Sequence, residues 1–415
     1  MTVTLRALRH RNFTLFLGGQ ACGLIGYWMQ QIALSWLVYR LTGSATLLGV
    51  LSFAANLPVL VLAPFVGLIA DRFNRHRMMI ATQVFEMLQA VVLAVLAFAG
   101  LIQPWHIIAL AMFLGVCIAV ELPVRHAYLL ELVEDKEDLP NAVAMTSLVA
   151  NCGRLIGPSL AGLMIGWFDE ATCFALNALS FVVVLGSFAL MRLAPRPAGG
   201  THPHPLPGLK EGVLYAWRSM PIRFLLVLLA VIALTAAPYA TLMPALVHEA
   251  FAGNAQTLGF LMSAAGVGAV AGTLLLIARR NLHGLVRYTI AAALLSAGAL
   301  TALSYSRALT LSLILMAVIG FGLLVISVSI NMILQSIVED DKRGRVMSLY
   351  TSAFLGLVPV GALLAGVLAD RIGATHTVLA GGIACAAAAL YMARALPRIN
   401  AHMQPLYART EASRS

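Results

Sequence analysis

Gly67-Leu-Ile-Ala-Asp71-Arg72-Phe-Asn-Arg75-His-Arg77 closes one long apolar run and opens the next. The run before it fills 45–70 and the one after it starts at 77, so a short charged loop separates two stretches that are each long enough to cross a bilayer. The alternation recurs in both directions along the chain. Apolar stretches fall at 13–39, 45–70, 77–99, 106–130, 140–166, 171–192, 222–247, 255–278, 287–305, 308–336, 345–369 and 374–394. A hydrocarbon core about 30 Å thick takes about 20 residues of helix. Backbone groups there find no water, and a helix pairs them within its own segment. Twelve such runs, 60% hydrophobic residues, 11% charged residues and a mean hydropathy of +0.90 describe an all-α membrane protein with twelve transmembrane helices.

With the N-terminus taken as cytoplasmic, 23 of the 27 Lys and Arg fall in inner segments. Arg40, Arg307 and Arg371 fall in outer loops and Arg154 lies inside a span. That bias predicts both termini in the cytoplasm. The net charge of +10 is therefore a topology signal, and the inner arginines suit anionic lipid head groups. No basic face with interleaved aromatics points to nucleic acid. The first dozen residues are basic and polar, with no A-x-A-like site after the first apolar run, so the first helix is expected to serve as both signal and anchor. Cys22, Cys117, Cys152, Cys173 and Cys385 sit in apolar spans without a C-x-x-C and read as structural thiols. His202 and His204 alternate with Pro in a loop and do not make a metal site. None of the three lysines follows a Gly, so there is no Walker A loop, and no HExxH or G-x-S-x-G argues for an enzyme. No cofactor or metal is implied. Three lysines against 24 arginines suggest a GC-rich bacterial genome and hence a bacterial cytoplasmic (inner) membrane.

One long loop divides the chain. Pro, Gly and His between Leu193 and Pro221 read as a linker followed by a short surface helix. Across it the sequence repeats. Val133-Glu134-Asp135 through Arg154 to Gly162 resembles Val338-Glu339-Asp340 through Val360 to Gly366, and Gly43-Ser44 to Gly49 resembles Gly253-Asn254 to Gly259. Span 5 thus matches span 11, and span 2 matches span 8. The expected organisation is a six-helix bundle in 1–192, a cytoplasmic linker in 193–221, a second six-helix bundle in 222–396 and a flexible tail in 397–415. A parallel repeat of this kind places the substrate path where the halves meet and suits alternating access by rocking.

The loop quoted first resembles the G-x-x-x-D-R-x-G-R-R/K signature of the major facilitator superfamily. Gly67, Asp71, Arg72 and Arg75 match it, while Asn74 stands for the usual Gly and His76 for the usual basic residue. Gly67 permits close helix approach, and a carboxylate such as Asp71 gains about 0.3–1 kcal/mol at a helix N-terminus. The resemblance implies that this helix is span 11, and that the contact latches the outward-open state. A plain solvated loop is the competing reading. Asp370-Arg371 looks like a copy but falls on the outer side.

Span 5 carries a second signature. Gly153-Arg154-Leu-Ile-Gly157-Pro158-Ser-Leu-Ala161-Gly162 resembles the antiporter motif G-x-x-x-G-P-x-x-G-G, with Ala161 replacing one Gly. Pro158 removes a backbone bond and the glycines bring helices together, so the alternative is a purely structural kink. In the superfamily the motif marks exporters.

Charges within spans are functional candidates because burying them is costly. They are Glu86, Glu121 and Arg154. Arg154 suits either an anionic substrate group or a static pair with Glu121 or Glu86. Glu86 shares a helical face with Gln83 and Gln89, and packing against span 2 or 4 is its expected role. Glu121 stands four residues before Arg125. The stretch Glu-Leu-Pro123-Val-Arg125-His126-Ala127 resembles the D-N-P-A-R-Q-A segment of enterobactin-exporter-like members. A pair with Arg125, or with Arg75, joins Glu121 to the latch, and a protonatable carboxylate there suits a coupling proton. Span 4 lacks the early Arg, and span 1 the acid, of many drug–proton antiporters. Spans 1, 4, 7 and 10 are expected to line the cavity, with polar and aromatic candidates Tyr27, Gln30, Gln31 and Trp36, then Thr235 and Tyr239, then Ser327, Asn331 and Gln335.

Over nearly the whole chain, including Leu8 to Phe13 and Gly43-Ser44, the resemblance is to the enterobactin-exporter branch. It implies a monomeric, proton-driven exporter of siderophores, macrolides or similar bulky amphipathic compounds. Lysophospholipid transport and a non-transporting receptor remain as alternatives.

Overall fold

The computed structural model describes residues 6–70, 73–133, 135–192, 214–279 and 284–412, with side-chain surroundings undescribed at 63–70, 136, 340–341 and 399–412. Its described residues are helical, with no strand among them. The helices are α1 (Arg11–Thr42), α2 (Ala45–Ala70), α3 (Arg75–Phe98), α4 (Pro104–Leu132), α5 (Leu139–Trp167) and α6 (Glu170–Ala189). Then follow α7 (Met220–Phe251), α8 (Ala255–Ala278), α9 (Leu285–Tyr305), α10 (Leu309–Ile337), α11 (Lys342–Ile372) and α12 (Ala374–Ala412). Eleven are long and apolar enough to cross a membrane by composition. The twelfth, α1, has the length (32 residues), but Gln20, Gln30 and Gln31 dilute its hydropathy.

The boundaries follow local chemistry. Gly43 takes the left-handed conformation (φ 64°) and its N–H caps α1 on Tyr39 O. Asn74 accepts from Arg77 N at 3.0 Å and starts α3. Asp169 does the same for α6 through Thr172 N at 2.8 Å. Two spans expected as uninterrupted α-helix instead contain π-helical turns, Ile232–Ala236 in α7 and Ser352–Gly356 in α11. Each lies shortly before a proline, Pro238 and Pro359, whose missing N–H breaks the α ladder. The last helix, expected to leave the membrane near 394, runs on to Ala412.

The chain forms two compact units, one within Met1–His202 plus Ala252–Ser263, the other within Pro203–Phe251 plus Ala264–Ser415. In the first, α1 packs on α5 and α6, α2 on α4, and α3 on α4 and α6. Small residues set these seams. A Cβ on Gly26 would stand 2.6 Å from Ser180 Oγ in α6, and one on Gly157 would stand 2.5 Å from Trp28 Cβ in α1. The opening of α8 also belongs here: a Cβ on Gly162 would meet Ala255 O at 2.9 Å, and Ser263 Oγ donates to Leu155 O at 2.7 Å. Phe13, Phe16, Met79, Tyr128 and Phe188 form an apolar core at the end carrying the N-terminus. In the second unit α9 packs on α10 and α12. There the π turn of α7 receives two glycines, since a Cβ on Gly361 would lie 2.5 Å from Leu234 O and Gly381 abuts Thr235 O.

Candidate functional site

Four helices of the first unit enclose a cavity of about 140 Å³. Tyr27 and Gln20 reach it from α1, Gln83 and Glu86 from α3, Glu121 and Arg125 from α4, and Phe181 from α6. The polar groups are placed by helical periodicity. Gln83 and Glu86 lie one turn apart on α3, and Glu121 and Arg125 one turn apart on α4. Glu121, Gln83 and Glu86 are all buried, at 3%, 3% and 6% exposure.

The bonding within the cluster is unequal. Arg125 donates to Glu121 Oε1 through Nη2, and through Nε at 3.2 Å. Gln83 Nε2 donates to the same Oε1 at 2.9 Å and reaches Glu86 Oε2 at 3.4 Å. Glu86 Oε1 is buried and has no hydrogen-bond partner among the described residues. Two carboxylates therefore share one guanidinium, and Glu121 has most of it. An arrangement of this kind can hold a proton, or an uncompensated charge, between the helices.

Beside the cavity runs a neutral chain. Asn177 Nδ2 donates to Gln30 Oε1 (2.9 Å), Gln30 Nε2 to Gln89 Oε1 (3.1 Å), and Gln89 Nε2 to Leu110 O (3.3 Å). It ties α6, α1, α3 and α4 together, so Gln30 is buried inside the bundle with its amide bonded on both sides. Gln31 Nε2 donates to the Tyr27 hydroxyl at 2.8 Å. Arg154 lays its guanidinium 4.9 Å from the centroid of Trp28. Trp36 is half-buried on α1.

Of the latch residues, Asp71 and Arg72 lie outside the described residues, and Gly67 is in the helical backbone of α2. Arg75 pairs with Glu131 at 2.7 Å, whereas Glu121 pairs with Arg125. Glu86 lines the cavity beside Glu121 of α4, and its neighbour Gln83 makes the bond to Glu121. Gln89 on the same side of α3 is bonded to Gln30 of α1, and among the described residues α3 packs mainly on α6 and α4. The motif glycines Gly153, Gly157 and Gly162 are backbone-contact positions: Gly153 abuts Leu24, Gly157 abuts Trp28, and Gly162 abuts Gly259. Tyr239 is buried in the second unit, where Asn331 Oδ1 also accepts from Gln335 Nε2 at 2.7 Å on α10 and Tyr350 donates to Ser327 O at 3.0 Å.

Several groups carried no signal in the sequence. Tyr128 lies 2.7 Å from His76 Nδ1, Glu170 holds Arg40 at 2.9 Å, and Glu249 accepts from Ala374 N at 2.9 Å where α12 begins. Each sits at a span end, where an isolated charge or hydroxyl reads as loop. No group of three His, Cys, Asp or Glu converges on a metal position among the described residues.

Residues 2–412 match the family model described as transmembrane secretion effector. The chain belongs to this family of the major facilitator superfamily. It is 28% identical over 375 residues to the staphyloferrin A transporter of Staphylococcus aureus, covering 90% of this chain and 91% of that protein. It is 27% identical over 362 residues to the multidrug efflux pump Tap of Mycolicibacterium fortuitum, covering 84% and 87%. It is 23% identical over 376 residues to macrolide efflux protein A of Streptococcus pyogenes, covering 89% and 92%. Among solved structures it resembles a POT family transporter (TM-score 0.74, 12% identity, 94% and 96% covered) and the nucleoside transporter NupG (0.72, 12%, 95% and 100%). These two share the fold. The protein is a multi-pass membrane transporter of a family that moves small organic compounds, with efflux pumps among its relatives.

Proposed function

We propose that the transporter exports a bulky amphipathic organic compound, a siderophore ahead of a drug, across the bacterial cytoplasmic membrane by alternating access, and that the proton gradient drives it. One observation carries this reading. Glu86 and Glu121, the acids inside spans, converge on one cavity with a single arginine bonded to Glu121. Charged groups inside a membrane are costly, and a pair that exchanges a proton has a use that offsets the cost.

In this reading both termini are cytoplasmic, supported by the arginine bias, and the chain works as a monomer. The halves 1–192 and 222–396 rock about the substrate path, joined by the linker 193–221 and followed by the tail 397–415. Gly67, Asp71, Arg72 and Arg75, with Glu121 and Arg125, latch one state. Gly153, Gly157, Pro158 and Gly162 form the seam along which α5 slides. Arg154, Tyr27, Gln31, Trp36, Tyr239, Asn331 and Gln335 are the groups offered to substrate, while Gln30, bonded on both sides inside the bundle, holds helices together. The coverage of the staphyloferrin A transporter supports a siderophore. Macrolide or multidrug efflux is the second reading, supported by the relatives so described and by the apolar share of the cavity lining, which includes Leu24, Ile118 and Phe181.

The test compares small molecules secreted by iron-starved native cells with and without this chain. Loss of one iron chelator from the medium, with accumulation inside, is the expected result. An unchanged secretome together with a changed drug susceptibility selects the second reading.

A further inference from the structure

We infer that Glu86, rather than Glu121 beside it, takes up and releases the coupling proton. The inference rests on the proton-driven reading above and names the group that reading leaves open.

Both carboxylates lie in the same cavity, but their surroundings differ. Glu121 Oε1 receives three donors, two from Arg125 and one from Gln83, which satisfies a full negative charge. Among the described residues Glu86 receives one bond from a nitrogen donor, 3.4 Å from Gln83 to Oε2, and its carboxyl lies against that of Glu121. Its Oε1 is buried without a partner among the described residues, and the whole residue is only 6% exposed. A carboxylate so placed cannot be ionised cheaply while Arg125 stays on Glu121. A proton on Oε1 makes the group neutral and needs no change in its neighbours. The other groups that line the cavity with it do not supply a countercharge: Gln20 and Tyr27 from α1 are an amide and a phenol, and Ile118 from α4 and Phe181 from α6 are apolar. Arg154 of α5 is directed to Trp28, beside Tyr27.

Release of the proton then has a structural consequence. Gln83 Nε2 is already within reach of both carboxylates, so ionised Glu86 competes for it and draws on Arg125 as well. Arg125 lies toward the end of α4 where Glu131 holds Arg75 of α3. Loss of a proton at Glu86 therefore acts on the bonds that fasten α3 to α4. The balance is simple: one O–H bond forms when a proton arrives from one aqueous phase, and the same bond breaks when it leaves to the other.

The experiment is infrared difference spectroscopy on the full-length protein in lipid nanodiscs, stepped between acid and neutral pH in H2O and D2O, reading the C=O stretch of protonated carboxyl groups. Wild type should show a pH-dependent, deuterium-sensitive band that is lost in Glu86→Gln, displaced in Glu86→Asp, and moved to lower pH in Glu121→Gln, which frees Arg125 for Glu86. Glutamine matches glutamate in size, and a monodisperse elution profile establishes that each variant is folded. A band that survives in Glu86→Gln, or that keeps its wild-type pH midpoint in Glu121→Gln, overturns the assignment. The proton-driven reading fails by a different result: the Glu86 band is present, yet collapse of the proton gradient leaves export of the accumulated chelator unchanged.

Discussion

Gln83 Nε2 donates to Glu121 Oε1 at 2.9 Å, linking α3 to α4 through two side chains that are both buried. The same nitrogen is the donor Glu86 has. One amide thus serves two acids, and the strength of that link depends on which acid is charged.

Replacing it should be felt in stability as well as in transport. Gln83→Leu leaves Glu121 with Arg125 alone and strips Glu86 of its donor. Loss of one partner of a buried polar pair costs about 1–3 kcal/mol. The expected result is a lower thermal midpoint in detergent together with reduced export; an unchanged midpoint would show that the bond carries no load.

The α5 seam admits no added atoms. Gly157→Val places methyl groups where Trp28 Cβ is already 2.5 Å from an ideal Cβ and Ile25 O 3.0 Å. Overpacking of this kind costs about 1–3 kcal/mol. Gly186 and Gly298 have nothing within 4 Å of an added Cβ, so Ala at either should raise stability by up to about 1 kcal/mol through helix propensity. Fluorescence-detected elution of the three variants checks the contrast.

Arg154 on Trp28 makes a cation–π contact, worth about 0.5–2 kcal/mol. If it meets substrate, Arg154→Ala should reduce export of an anionic compound more than of a neutral one, and Arg154→Lys should restore part of the difference. Equal loss for both compounds would assign the arginine to packing.

For Asp71, which lies outside the described residues, the motif predicts that Asp71→Asn abolishes export while membrane insertion stays normal. Transport at the wild-type rate in that variant would remove the latch.

Glu249 caps α12 through Ala374 N (2.9 Å) and Thr375 N (3.4 Å). Glu249→Ala should cost about 0.5–2 kcal/mol, as cap removals do. Hydrogen exchange should quicken at the first turn of α12 and leave α9 unaffected.

Much of the fold was legible before any coordinates. The expected runs 45–70 and 255–278 coincide with α2 (Ala45–Ala70) and α8 (Ala255–Ala278), and spacing offered Glu121 two partners, Arg125 and Arg75, without choosing between them. The π turns were not legible, because a proline in an apolar run predicts a break without saying which turn widens. Nor was the setting of Glu86. Spacing put it on one face with Gln83 and Gln89, but a single helix does not reveal which neighbour that face meets. Gln30 shows the same limit, since its two bonding partners lie 59 and 147 residues away.

By itself, then, the sequence determined how many times the chain crosses a membrane, the ends of most spans, and the residues too costly to bury without a purpose. Those properties are local, because the transfer free energy of a span is a sum over about 20 consecutive residues whatever surrounds them. Only the tertiary structure decided that Arg125 goes to Glu121, that Arg75 goes to Glu131, and that Glu86 has an oxygen beside a cavity with no partner among the described residues. Those outcomes depend on the rotation of each helix about its axis and on approaches set by Gly26, Gly115 and Gly157, where one extra carbon would drive the helices apart.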